Sequence, residues 1–127
     1  MIINAPVSLG ELVDKISILR IKKKHIIKKE KLILVNEELS LLETTLSKIV
    51  ESKKIKKYLD NLTNINLELW GIEDEIRDCE KAKNFDKKFI DLARSVYITN
   101  DKRSEIKLQI NNNFGSTLVE VKSYEKY

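Results

Sequence analysis

From residue 11 to residue 70 the chain contains neither glycine nor proline, and that stretch opens on a complete helix-start signal. Ser8 as N-cap with Glu11 three residues later forms a capping box, Val7 and Leu12 are placed for a hydrophobic staple, and Pro6 keeps the preceding backbone extended. Nothing between this start and Gly71 is a helix breaker. The sequence therefore predicts a single helix from Ser8 to about Ile49, roughly 60 Å long at 1.5 Å per residue. Leu32, Val35, Leu39, Leu42, Leu46 and Ile49 recur at alternating spacings of three and four, the a/d pattern of a helix packed on helical neighbours. Closer to the start there are two stripes. Leu12, Ile16, Leu19 and Ile26 make one, and Ile18, Ile21 and His25 make another that is in register with the later seam. The first half of the helix should touch two partners and the second half one.

A second helix is marked by Ile55, Leu59, Leu62, Leu69 and Ile76, widened by Tyr58, Ile65, Ile72 and Cys79, after a weakly signalled turn near Lys48 to Lys53. Gly71 inside it costs about 1 kcal/mol relative to Ala and points to either a close helix approach or a local kink beside Trp70, the close approach being preferred. A third helix starts after Asn84-Phe85-Asp86, where Asn84 or Asp86 can cap. Its stripe runs through Phe89, Leu92, Ala93, Val96, Ile106 and Ile110, with Gly115 as its C′ stop. The β-branched stretch from Ser116 to Tyr124 reads either as a short terminal β-ribbon with Ile2 to Pro6 or as an ordered tail laid on the helices. The expected fold is all-α, with three long antiparallel helices in a coiled-coil-like bundle and one domain over residues 1–127. No repeat, low-complexity segment or linker argues for a second unit.

Composition agrees. Charged residues make up 35% of the chain and aromatics 6%, which favours surface-charged helices over turn-rich β architectures. The net charge of +4 is carried by lysine runs at Lys22 to Lys24, Lys28 to Lys31 and Lys53 to Lys57. Such runs can neutralise phosphates, but here they alternate with Glu and with apolar positions, so a solvated helix face is the preferred reading over a nucleic-acid surface. Cys79 is the lone cysteine, which rules out an intrachain disulfide and suits a reducing compartment, the cytoplasm by default. The first residues lack a secretory n-region and h-region, and no apolar run approaches the roughly 18 to 20 residues of a membrane span, so neither secretion nor membrane insertion is expected.

Common chemistries are absent from the pattern. The single histidine, His25, follows Lys22 and cannot complete the Glu-x-x-His of a di-iron bundle; at helical spacing among Ile21, Ile26 and Leu32 it reads as a packed or half-exposed side chain. Cys79 beside Ile72 and Ile76 reads as a small core hydrophobe. No Gly-rich phosphate loop, G-x-S-x-G elbow or H-E-x-x-H is present. Glu75-Ile-Arg-Asp78 supplies one half of the carboxylate set that helical nucleotide pyrophosphohydrolases use for Mg²⁺, while Glu37, Glu38 and Glu43 lack the spacing of the other half. No metal or other cofactor is predicted.

The polar break in the third helix is the most informative feature. After Val96 the seam positions become Asn100, Arg103 and Lys107 before returning to Ile110. Buried charges are costly unless paired. If these positions face inward, their partners should come from Glu73, Asp74, Arg77 and Glu80 on the second helix and from Asp14, Lys15 and Lys22 on the first. The resulting ladder either fixes register and helix order or forms a pocket for a small phosphorylated or carboxylated ligand. The candidate ligand set is Lys15, Lys22, Glu73, Arg77, Asn100, Arg103 and Lys107. Arg20, Arg77, Arg94 and Arg103 are the chain's four arginines, the side chain suited to bidentate anion recognition. On the third helix Arg94, Tyr97 and Asp101 share a face, allowing an Arg to Asp pair under the tyrosine.

Four separated stretches, Pro6 to Leu19, Leu69 to Arg77, Leu92 to Lys107 and Gly115-Ser116 with Val121 to Tyr124, make the chain resemble a family of short bacterial and phage proteins known as a domain of unknown function. The resemblance implies a stand-alone helical domain and carries no assigned reaction or catalytic residue. The resulting expectation is a protein-interaction or scaffolding module, a homodimer through the part of the long first helix that the other two cannot cover. The alternatives are a small-anion-binding helical enzyme using the polar pocket, and a weak nucleic-acid binder using the lysine runs.

Overall fold

The computed structural model describes residues 1–127 and contains four helices and no strand. Helix α1 spans Leu9–His25, α2 Lys29–Ser47, α3 Ser52–Lys81 and α4 Lys87–Asn113. The all-α class holds, but the bundle has four helices where three were expected, because the first long helix is two. The Ile26 N–H still bonds the Lys22 carbonyl at 2.8 Å, after which Ile26 adopts φ −79°, ψ 129° and Lys28 φ −66°, ψ 122°. These are extended angles open to any L-residue, so the reversal uses no glycine or proline.

The two mismatched stripes of the sequence explain why the break pays off. In one straight helix, Leu12, Ile16 and Leu19 would point away from the line of Val35, Leu39 and Leu46. Folded back at Ile26 to Lys28, both sets enter the same eleven-residue apolar cluster with Ile55, Leu59, Leu62 and Ile110. Like charges at Lys24 and Lys28, four apart, also weaken helix continuation at this point.

Helix α1 packs against each of the other three, and α3 with α4 forms the most extensive pair. Near its start, α1 meets the end of α4, Gly10 lying on Asn111 and Asp14 on Arg103, so these two helices run antiparallel. Tyr58 near the start of α3 meets Asn113 and Phe114 at the end of α4, so that pair is antiparallel too. The α2 to α3 turn falls between Ser47 and Ser52, as anticipated, and Asp86 caps α4 through its carboxylate and the Lys88 N–H at 3.1 Å. Gly115, at φ +66°, follows the last turn of α4 as the C′ stop.

Two glycines exchange roles. At Gly71 a Cβ would meet nothing within 4 Å, so the expected close approach there does not occur. It occurs at Gly10, where a Cβ would lie 2.5 Å from the Lys107 carbonyl oxygen. The terminal β-ribbon does not form either. Ser116 accepts the Leu9 N–H at 3.3 Å and directs the following residues onto the flank of α4, while Ile2 and Ile3 stay mostly exposed. The tail reading is the one that holds.

The overhang that motivated dimerisation also moves. With 17 and 19 residues, α1 and α2 are shorter than α3 and α4, at 30 and 27. What projects is the far end of the α3–α4 hairpin. The apolar cluster takes nothing from α3 beyond Leu62 and only Ile110 from α4. Past the His25–Trp70 ring contact at 5.2 Å, Ile72 and Cys79 are the buried residues of α3, and no residue of α4 before Thr99 is buried. No helix is long and apolar enough to cross a membrane.

Candidate functional site

Between the apolar cluster and the projecting hairpin lies a layer of polar side chains. It is centred on Asp14, whose side chain is 1% exposed in the second turn of α1. Arg103 of α4 grips this carboxylate with both edges of its fork: Nε donates to Oδ1 at 3.0 Å and to Oδ2 at 3.2 Å, and Nη2 donates to Oδ2. From α3, the Asn66 amide donates to Asp14 Oδ1 at 2.9 Å and to Ser17 Oγ at 2.7 Å, while Ser17 donates to the Asp14 carbonyl. Asn100 accepts from Arg103 Nη1 at 3.4 Å. The planar pairing of guanidinium with carboxylate makes this a strong, directional contact.

One turn further along α4, Lys107 places its ammonium between Glu11 at 2.7 Å and Glu120 of the C-terminal segment at 2.9 Å, with Asp14 at 4.0 Å. Its side chain is 8% exposed. Hydrogen bonding to Asp14 raises the Arg103 pKa above its ordinary value against the opposing effect of burial. Burial lowers the Lys107 pKa, but hydrogen bonds to Glu11 and Glu120, with the charges of Glu11 and Asp14, outweigh it and raise the net value. Lys122 and Lys107 together hold Glu120 down at about 2. No buried side-chain nitrogen or oxygen lacks a partner. The N–H groups that open α1 are used as well: Glu11 N–H donates to Ser8 Oγ, Gly10 N–H to Asn111 Oδ1 and Leu9 N–H to Ser116 Oγ.

Over this layer the C-terminal segment roofs a cleft of about 640 Å³ whose walls include Tyr97, Asn100, Arg103, Lys107, Tyr124 and Tyr127. Tyr127 stacks on Tyr97 with centroids 5.4 Å apart and donates its hydroxyl to Asp101 at 2.5 Å, which raises its pKa to about 12.

Of the seven residues singled out in the sequence, the structure brings Asn100, Arg103 and Lys107 together. Lys15 pairs instead with Glu38 of α2 at 3.1 Å on the surface, Lys22 lies half-buried on α1 away from the cluster, and Glu73 pairs with Arg77 along α3. Among the expected partners Asp14 is correct, whereas Glu80 bonds Lys83. The arginines do not converge, since Arg20 pairs with Glu43 and Arg77 with Glu73. Asp101 takes Tyr127 rather than Arg94. Sequence reasoning missed Ser17, Asn66, Asn111 and Glu120, and gave the Glu11 carboxylate to the Ser8 capping box, whereas it accepts from Lys107. Asn66 did leave a trace, an amide on the seam between Leu62 and Leu69. No three His, Cys, Asp or Glu side chains lie where they could share a metal ion, and Glu75 and Asp78 stay exposed on α3.

Fold and site together define a small helical protein cross-braced by a closed ionic layer, with a covered cleft beside it. The chain belongs to DUF6165, a family of unknown function, whose model matches residues 3–127. No curated protein and no solved structure matches it.

Proposed function

We propose that the protein is an interaction module that acts as a homodimer in the cytoplasm, joining two copies through the projecting half of the α3–α4 hairpin. The observation that carries this reading is an apolar seam left half covered. Ile76, Phe89, Leu92 and Val96 are only partly buried between the two helices, and Phe85 and Ile90 beside them are 51% and 54% exposed. Two helices alone cannot enclose a core, and a second hairpin supplies the missing layer as in a four-helix bundle. Charge supports pairing α3 of one copy with α4 of the other. Residues 73–80 carry Glu73, Asp74, Glu75, Asp78 and Glu80 against Arg77, while residues 87–94 carry Lys87, Lys88 and Arg94 against Asp91. A lone Cys79, buried in this hairpin, suits a reducing compartment.

The small-anion reading is weaker because each cation of the layer already holds a carboxylate of its own chain, and an incoming anion would have to expel Asp14 from Arg103. The experiment is sedimentation equilibrium on the wild type and on Ile90→Glu, a change at a solvent-facing position that leaves the fold intact. A wild-type dimer that becomes a monomer in Ile90→Glu, with unchanged helical circular dichroism, is the expected result. A wild-type monomer at high micromolar concentration overturns the proposal.

A further inference from the structure

The C-terminal segment sits on α4 in an unusual way. After Ser116, whose N–H bonds the Asn111 carbonyl at 2.8 Å, residues 117–127 make no backbone-to-backbone hydrogen bond. They are attached through side chains: Glu120 to Lys107, and Tyr127 to Asp101 and Tyr97. Their apolar side chains gain little, since Leu118, Val119, Val121 and Tyr124 remain between 42% and 86% exposed. Underneath, the groove is built differently. Lys107 is almost fully enclosed, the half-buried Arg103 is fixed by Asp14 and itself donates to Asn100, and the cleft stays unfilled with the segment in place. The cover is held at two polar anchors and buries little apolar surface, while Arg103 beneath it is fixed by Asp14 independently of the cover.

We propose that the groove along α4 beneath residues 117–127 is a docking site for an extended segment of a partner protein carrying a carboxylate and an aromatic ring, and that the chain's own C-terminal segment occupies it as a displaceable stand-in. The partner's carboxylate takes the place of Glu120 on Lys107, and its aromatic ring takes the place of Tyr127 on Tyr97, with its hydroxyl or amide donor on Asp101. Both halves of the recognition are needed. Glu11, Asp14 and Asp101 already outnumber Arg103 and Lys107, so a bare anion finds no excess of positive charge there. The tether at Ser116 gives the resident segment a high effective concentration, so a partner must fill the groove better than the segment does. This inference concerns the half of α4 that faces α1 and is independent of association through the projecting hairpin.

The test uses the full chain and a fluorescently labelled peptide of residues 116–127, read by anisotropy. Releasing the resident segment with Glu120→Gln and Tyr127→Ala should tighten peptide binding at least tenfold over wild type. Adding Lys107→Met to that double variant should reverse the gain, and so should Tyr97→Ala, an exposed position that reads the aromatic half if Lys107→Met compromises folding. Equal binding to wild type and double variant, or binding indifferent to both Lys107→Met and Tyr97→Ala, overturns the proposal. Displacement of the peptide by millimolar acetate alone also overturns it, since the site would then be one for a small carboxylate.

Discussion

Arg103 is the residue on which most of the polar layer depends. Its guanidinium is the principal counter-charge to an Asp14 carboxylate that has almost no access to water, and Asn66 supplies only a neutral amide. Arg103→Met keeps the bulk of the side chain and removes the charge, leaving a buried anion with Lys107 4.0 Å away as its remaining cation. Breaking a buried pair from one side costs about 3–5 kcal/mol, so thermal or urea unfolding should show a loss of that order. A variant as stable as wild type would mean that the layer does not brace the fold and would return the anion pocket to consideration. Arg103 and Lys107 were legible in the sequence because charge stood where the third-helix seam required an apolar side chain. Their partner Asp14 was one of several acids within reach, and spacing alone could not choose among them. Glu120 could not be found at all, since nothing in a β-branched tail shows where it will lie. The glycines teach the same lesson. Gly71 looked costly inside a helix and is merely exposed, while Gly10, apparently just part of a helix start, is the position where α1 and the backbone of α4 meet.

At the scale of elements, the starts of α1 and α4 and the stop after α4 were readable because each has a local chemical cause: the Ser8 cap, Asp86, Gly115 at positive φ; α2 and α3 start without a side-chain cap and were marked weakly or not at all. The break between α1 and α2 has a non-local cause. Its backbone angles suit any residue, and its stabilisation comes from burying two stripes in one cluster, which is visible only once α3 and α4 are in place. The two stripes were nonetheless present in the sequence as a register mismatch, and a mismatch between adjacent stripes of one long helix is itself a signal for a turn. This makes Ile27 a sharp probe. It is 90% exposed, its N–H enters no backbone hydrogen bond, and Ile26 before it is already extended as a residue preceding proline must be. Ile27→Pro should change unfolding free energy by less than about 0.5 kcal/mol, against about 3 kcal/mol for proline inside a continuous helix. A loss of the larger size, measured by urea titration, would show that α1 and α2 are joined as one helix in solution.

Over the whole molecule, stability should fall along the α3–α4 hairpin. The end near Leu59, Leu62 and Ile110 is enclosed by α1 and α2, the middle is braced by Asp14, Asn66 and Arg103, and the far end has only its own two helices. Local opening requires little where few apolar contacts are lost. In native-state hydrogen exchange, amides within residues 72–81 and 87–96 should therefore exchange faster than those of α1 and of residues 55–66. Concentration adds the decisive dimension. If two copies share the projecting hairpins, association stabilises that region by mass action, so its exchange should slow as protein concentration rises while the enclosed end stays unchanged. Ile90→Glu should remove the concentration dependence and leave the gradient. Uniform exchange along the hairpin would contradict the layered organisation itself, whereas a gradient indifferent to concentration would keep that organisation and exclude the second copy as the partner that covers the seam.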